Sequence, residues 1–349
     1  MNEFEKELFK NKVSLSRFIN ICLYKKEYGF YQKNKIGKHF VTSPEISQLF
    51  GECISIFFMT FYKKFKIKSI CELGPGNGTL TKDLIFALSK FIDYKLSFNL
   101  YEKSEYLRKI QTKNLIDLDS NKISINFLKN LKLSNEPYFF ICNEFFDALP
   151  INQYERINES WFEKKVIFRN KLKIINEKTD FKPPQPAKHG DIVEISPLTN
   201  LYLRKIFKHL QNFGGAILIF DYGPFEKQKI STIQAIYKSK KCGVLDFPLR
   251  SDITYHVDFV EMKKLSAKFN LFCYGPITQR EFLFFHGINE RVMNLLLKIR
   301  SRSEIEAINS QFERLTSPNG MGNLIKCLFI SNYKFDSKIF KSYAKARTF

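Results

Sequence analysis

No apolar run in this 349-residue chain could cross a bilayer: the longest candidate, Cys53 to Tyr62, is well short of the roughly 18 residues a spanning helix needs. The opening stretch, Met1 to Lys10, alternates acid and base and lacks the apolar centre of a secretory signal peptide. These absences lead to the expectation of a soluble, cytoplasmic protein without membrane insertion. Cysteine is sparse and scattered (positions 22, 53, 71, 142, 242, 273 and 327), with no Cys-x-x-Cys pair, so buried reduced thiols are expected rather than a disulfide framework. Five histidines, at 39, 189, 209, 256 and 286, show no metal-ligand spacing, and no metal is expected. Internal repeats and low-complexity stretches are absent too.

Positive charge is abundant: 56 Lys and Arg against 35 Asp and Glu give a formal net charge of +21. Such a field suits an anionic partner, RNA or an acidic protein face. A merely solvated basic surface, or a compositional bias of the gene, explains it as well, because the lysines come in pairs and never in long runs. Hydrophobic residues at 44% and charged residues at 26% are ordinary globular values, and the length suggests about two units.

The first 65 or so residues read as helices around a polar loop: a helix over Val13 to Lys26, a loop over Tyr28 to Val41, and a long helix over Pro44 to Phe65 that Ser43 could cap. Strand and helix signals then alternate. Lys66 to Leu73, Leu96 to Tyr101, Tyr138 to Cys142 and Ala216 to Phe220 read as strands; Leu80 to Phe91, Ser104 to Asn114 and Leu198 to Leu210 read as helices. That alternation argues for βαβ units and a parallel sheet. Tyr154 to Ile195 reads as a hairpin insert turning at Arg169-Asn170, and Phe225 to Arg250 as part of a second, smaller unit. A helix over Val257 to Phe269, a strand over Leu271 to Pro276, a helix over Gly287 to Phe312 and a closing strand over Leu324 to Tyr333 follow. Phe335 to Phe349 reads as a basic, frayed tail.

The motif that decides the chemistry is Ile70-Cys-Glu-Leu-Gly-Pro-Gly-Asn-Gly-Thr-Leu80, a strand running into a glycine loop before a helix. Gly74, Gly76 and Gly78 remove Cβ atoms where a ligand must approach the main chain and allow positive φ. The spacing is neither the GxGxxG of dinucleotide enzymes nor a P-loop. Glu72, at the end of the loop's own strand, would repel a pyrophosphate but attract a cation. S-adenosylmethionine carries an ammonium and a sulfonium and no phosphate. Glu102, at the end of the next strand, is placed to accept from ribose hydroxyls. Ile141-Cys-Asn-Glu-Phe-Phe-Asp-Ala-Leu-Pro150 follows another buried strand, so Asn143, Glu144 and Asp147 face the same crevice. Two acids and an amide there suit a cationic nitrogen such as a guanidinium, which is always protonated. They also suit the first turn of a helix, with Asn143 as its cap, and the two readings are compatible.

With these residues in view, the chain resembles the MidA-like family of class I S-adenosylmethionine-dependent methyltransferases. The resemblance rests on the glycine loop and on Phe40-Val-Thr-Ser-Pro-Glu-Ile-Ser-Gln-Leu-Phe-Gly-Glu52, Asn143 to Gln153, Asp221-Tyr-Gly223, Asp252-Ile-Thr-Tyr-His-Val-Asp-Phe259 and Arg314 to Gly322. It implies an α/β fold: a Rossmann-like core of mostly parallel twisted sheet with helices on both faces, plus an N-terminal helical cap and inserts. The boundaries that follow are a cap over 1–65, a core over 66–333 with inserts at about 154–195 and 225–256, and a tail over 334–349. The family includes a mitochondrial complex I assembly factor that methylates an arginine, so the resemblance implies a protein arginine N-methyltransferase with a protein substrate, such as a complex I subunit. Cofactor-binding candidates are Glu72, Gly74, Gly76, Gly78, Thr79 and Glu102, with Thr42 and Pro44 from the upstream block. Catalytic candidates are Asn143, Glu144, Asp147 and, as a late proton acceptor, His256. The chain departs from the family pattern at Lys38-His39 and through Ser231 to Arg250, on the substrate side. Methylation of RNA or of a small molecule, and a cofactor-binding assembly chaperone, are the competing readings.

Overall fold

The computed structural model describes residues 12–37, 41–336 and 338–340. Its centre is a seven-stranded sheet: β1 (Ser69–Leu73), β2 (Leu96–Tyr101), β3 (Ile123–Leu128), β4 (Tyr138–Asn143), β5 (Gly215–Tyr222), β6 (Phe272–Thr278) and β7 (Ile325–Ser331). The spatial order is 3-2-1-4-5-7-6. Strands β1 to β5 pair in parallel, while β7 runs antiparallel to both β5 and β6. Parallel strands covered on both faces must be apolar throughout. β1 and β4 accordingly are buried at every position, and so is the antiparallel β7.

The two faces feed two cores, and β4 shows how period-two alternation divides them. Tyr138, Phe140 and Cys142 join a core that includes helix α1 (Leu15–Tyr24), whereas Phe139 and Ile141 join one built on the long helix over Gln48–Phe65. In the second core Phe57 packs against Phe139, Phe282, His286, Phe329, Phe335 and Phe340.

Several elements differ from the sequence reading. The helix expected over Pro44 to Phe65 is broken at Ser47, whose extended backbone separates α2 (Ser43–Ile46) from α3 (Gln48–Phe65). Ser47 accepts from the Leu49 N–H and so caps α3; the cap of α2 is Thr42, and the Ser43 hydroxyl instead donates to Gln279. The helix over Gly287 to Phe312 is likewise two, Ile288–Leu296 and Arg302–Thr316. Strand β3 went unread. The tail is not frayed at its start: Phe335 and Phe340 are buried in the aromatic core. Residues 341–349 and Lys38-His39 lie outside the described residues.

The hairpin at Arg169-Asn170 is present, its strands Ser160–Phe168 and Leu172–Thr179 forming part of a five-stranded antiparallel sheet. The stretch after β5, which reads poorly as sequence, holds a three-stranded sheet of Gln234–Tyr237, Lys240–Cys242 and Asp252–Thr254. Replacing Phe57 by Ala leaves a cavity among six aromatic neighbours and should cost about 3–5 kcal/mol of stability. Urea unfolding of Phe57→Ala against the wild type measures it.

Candidate active site

The strand order reverses between β1 and β4, and in open α/β sheets that switch point opens a crevice beyond the carboxyl ends of the strands. A cavity of about 350 Å³ occupies that place. Thr42, Pro44, Glu72, Gly74, Gly76, Thr79, Glu102, Asn143, Glu144, Asp147 and His256 all line it, although they come from five separate stretches of chain. Gly78 does not. It caps α4 (Thr79–Leu88) with φ of 84°, and a Cβ there would stand 2.9 Å from Leu115, so its role is the turn.

On the glycine-loop side, Gly74 and Gly76 have φ of 68° and 56°. A Cβ on Gly74 would meet the Phe145 ring at 2.7 Å, and one on Gly76 would meet Ile36 at 2.9 Å. The glycines therefore serve close approach of the chain's own side chains as well as of a ligand. Glu72 is buried and accepts from the Thr81 hydroxyl. Glu102 is buried and accepts from the Ser104 N–H at 2.7 Å. Burial pushes both carboxyls up to about 7. The Thr79 hydroxyl is engaged by Glu45 at 2.6 Å, which also accepts from Asn77.

Beyond β4 the chain makes no helix. Glu144 turns sharply, with φ of 49°, its N–H donating to the Phe220 carbonyl at 2.8 Å. The capping interpretation of Asn143 therefore fails, because Asn143 has no first turn to cap. Glu144 accepts from the Ser43 N–H at 3.2 Å and from Asn143 at 3.3 Å. Asp147 is buried beside it. Two further acids complete the group. Asp221, fully buried at the end of β5, accepts from the N–H groups of Phe146 and Tyr222 at 2.8 and 2.9 Å. Asp252, also buried, accepts from the Tyr31 hydroxyl at 2.6 Å.

Burial raises all four carboxyls: Glu144 to about 8, Asp221 to about 7, Asp252 to about 6, and Asp147 well above the ordinary range, with the neighbouring acids adding to the rise in Glu144 and Asp147. No lysine, arginine or histidine among the described residues forms an ion pair with any of them. His256 lines the same cavity, its imidazole pushed below the ordinary value first by burial and then by Lys227, Lys326 and Lys241. Sequence reading left out Tyr24, Tyr31, Glu45 and Asp252 as lining residues and Asp221 as a buried neighbour. Asp221 and Asp252 stand in quoted motifs, but nothing local shows that they converge with Glu144.

These residues fit S-adenosylmethionine. The molecule is cationic at two centres, and the cavity offers Glu72 and Glu102 on the loop side. Asn143 also lines the cavity, and its Oδ1 is buried without a hydrogen-bond partner among the described residues. Strand order, glycine loop and acid-lined switch point define a class I methyltransferase fold. The comparisons agree. A family model described as "Putative S-adenosyl-L-methionine-dependent methyltransferase" matches residues 53–277, and the chain belongs to that family. It is an S-adenosylmethionine-dependent methyltransferase.

Protein arginine methyltransferase NDUFAF7, mitochondrial, of Xenopus laevis is 31% identical, the match covering 90% of this chain and 80% of that protein. The Homo sapiens protein of the same name is 28% identical over 89% of this chain and 78% of its own length. A Burkholderia thailandensis protein solved with S-adenosyl-homocysteine superimposes with a TM-score of 0.81 at 21% identity, covering 94% and 90% of the two chains, and so shares the fold. The two NDUFAF7 proteins are named as mitochondrial, which overturns the cytoplasmic expectation. Lack of a secretory apolar core argues only against secretion and cannot separate the cytoplasm from an organelle. Among the described residues no helix is long and apolar enough to cross a membrane.

The raised carboxyls have a thermodynamic consequence. Folding holds a proton on Glu144 up to about pH 8, whereas the unfolded chain releases it near pH 4.5. Glu144 therefore withholds stability progressively as pH rises between those values. Glu144→Gln should melt above the wild type at pH 8, and the gain should shrink towards zero near pH 4.5; paired melting curves across that range check the sign.

Proposed function

We propose that this methyltransferase modifies an arginine side chain of a protein. The observation that carries the reading is the group of four buried acids, Glu144, Asp147 and Asp252 on the cavity wall and Asp221 beside them, with no ion-pair partner among the described residues. Burial makes these acids hold protons near neutral pH, and a cation placed among them would favour their charged forms. A guanidinium is planar, permanently charged and able to meet several carboxylates at once. The names of the relatives support the same target, and the family resemblance extends the proposal to a respiratory complex I subunit.

When bound, S-adenosylmethionine supplies an electrophilic methyl group on its sulfonium. The chain's own residues do the rest. Glu72 and Glu102, with the backbone at Gly74 and Gly76, hold the cofactor, and Thr42, Pro44 and Thr79 close the wall beside it. Glu144 and Asp147 grip the guanidinium and hold its charge towards their side. Asn143, through its unpartnered Oδ1, accepts from a guanidinium N–H and orients the reacting nitrogen. Asp221 and Asp252, each fixed by hydrogen bonds, strengthen the negative field without moving. His256, kept neutral by burial and by the nearby lysines, accepts the released proton. Positioning is the main contribution of such a site, because the leaving group is already activated.

Labelled S-adenosylmethionine given to the purified protein and a cell extract tests the reading. Label that survives nuclease, is lost to protease and is recovered as methylarginine supports it. Nuclease-sensitive label would mean RNA, and cofactor binding without transfer would mean a chaperone. Two variants separate the roles. Glu102→Ala removes charge-assisted hydrogen bonds worth about 1.5–3 kcal/mol each and should weaken S-adenosylmethionine binding tenfold or more in a calorimetric titration. Glu144→Gln and Asp147→Asn should leave that affinity near wild type while methyl transfer falls about 100-fold, or ~3 kcal/mol of transition-state stabilisation. Equal loss of binding and transfer would assign these acids to the cofactor instead.

A further inference from the structure

One wall of the cavity is the three-stranded sheet that follows β5, and its charge changes sign across its width. The register sets Lys241 opposite Ile236 and Ile236 opposite Asp252, so these three share a face. All three line the cavity, as do Gln234 and Thr254 one pair further along. The alternate residues, Ala235 and Ile253, are buried on the opposite face. Asp252 is buried among the acids, whereas Lys241 is exposed on the outer strand. With neighbouring strands ~4.8 Å apart, the two Cα atoms stand about 10 Å from each other.

Three lysines, Lys227, Lys241 and Lys326, act on His256 at this end of the cavity. Two are occupied. The Lys227 ammonium donates to the Glu194 carbonyl at 3.3 Å and lies over the Tyr255 ring. Lys326 is buried, donates to the carbonyls of Asn323 and Leu324, and lies over the Phe225 ring. Glu194 is close enough to act on His256, but its carboxylate is taken by Gln153 and Thr232. Lys241 has no hydrogen-bond, ion-pair or ring partner among the described residues. A lysine on an edge strand can serve simply to discourage edge pairing. Lys240, exposed next to it and absent from the cavity lining, suffices for that. Lys241 is the one that faces the site.

We infer that Lys241 selects substrates carrying an acidic residue within about three positions of the target arginine, the span that an extended chain at ~3.3 Å per residue needs to bridge the acid group and Lys241. This rests on the arginine reading above. The guanidinium enters among Glu144, Asp147 and Asp252 while a neighbouring carboxylate pairs with the Lys241 ammonium at the rim. Lysine or arginine in that flanking position is repelled, so the rim discriminates by charge as well as attracting. A rim contact made equally in the ground and transition states changes KM and leaves kcat alone.

Synthetic peptides with one arginine, and with Glu, Ala or Lys placed at each of the three positions on either side, test this with labelled S-adenosylmethionine. At the most sensitive position the wild type should favour Glu over Lys by about tenfold in kcat/KM, carried by KM, as expected of one exposed ion pair gained and one repulsion avoided. Lys241→Glu should invert the order, with the Lys-flanked peptide rescued, while its melting temperature stays near wild type. A wild type indifferent to flanking charge, or a Lys241→Glu enzyme that keeps the acidic preference, overturns the inference while leaving arginine methylation standing. No methylation of any arginine peptide, with label entering RNA or another side chain in extract, removes the arginine reading and this inference together.

Discussion

Carboxylates do not gather inside a protein without cause, and four of them crowded at one cavity, with no ion-pair partner among the described residues, constrain everything near them. Each loses hydration on burial, and the neighbouring acids further raise the proton affinity of Glu144 and Asp147. The fold blunts that cost locally: main-chain N–H groups hold Asp221, a tyrosine hydroxyl holds Asp252, and the Ser43 N–H together with the Asn143 amide holds Glu144. None of these contacts neutralises the group. What the arrangement retains is an appetite for positive charge next to a cradle suited to S-adenosylmethionine, and the reaction assigned to the chain draws on that appetite.

Three parts of the molecule supply the walls. The central sheet delivers Glu72, Glu102, Asn143 and Glu144 from the ends of β1, β2 and β4, since parallel strands present all their carboxyl ends on one side. The N-terminal segment delivers Tyr24 and Tyr31, with the Tyr24 hydroxyl donating to the Ala148 carbonyl at 2.9 Å just past the acids. The sheet inserted after β5 delivers Asp252 at the floor and Lys241 at the rim. In the proposed reading, rigid strand ends set the binding of cofactor and substrate cation, while the choice among substrates falls to an insert whose outer strand is exposed.

Much of the core was legible because its physics is local. β4 and β5 are dense apolar runs bounded by turns, β2 is a short strand between two helix signals, and the glycine loop after β1 announces a ligand-binding strand end. β3, Ile123-Ser-Ile-Asn-Phe-Leu, alternates polar and apolar residues much as β2 does and escaped although that pattern suits its place at the sheet edge. The break at Ser47 escaped because a serine inside an apolar periodicity is no clear stop signal; only its extended backbone and its bond to Leu49 reveal the second helix start. Asn143, Glu144 and Asp147 were legible as a motif, but not the turn that puts φ at 49° on Glu144 in place of a helix. Asp221 and Asp252 reach the acid group only through β5 and the inserted sheet, a convergence that no local pattern encodes. Phe335 and Phe340 looked like tail residues for the same reason: their partners Phe57 and Phe329 are remote in sequence or on another strand.

The central claim is that this acid group exists to receive a guanidinium. A cation entering among carboxyls that hold protons near neutral pH must displace protons, and the displacement can be counted. Calorimetry of an arginine peptide binding to the S-adenosyl-homocysteine-loaded protein at pH 7, repeated in buffers of different ionisation enthalpy, gives the number released. The account predicts release of about one proton or more per arginine bound, and none for the same peptide with citrulline in place of arginine. Arginine binding without proton release, or equal binding of the citrulline peptide, would contradict it.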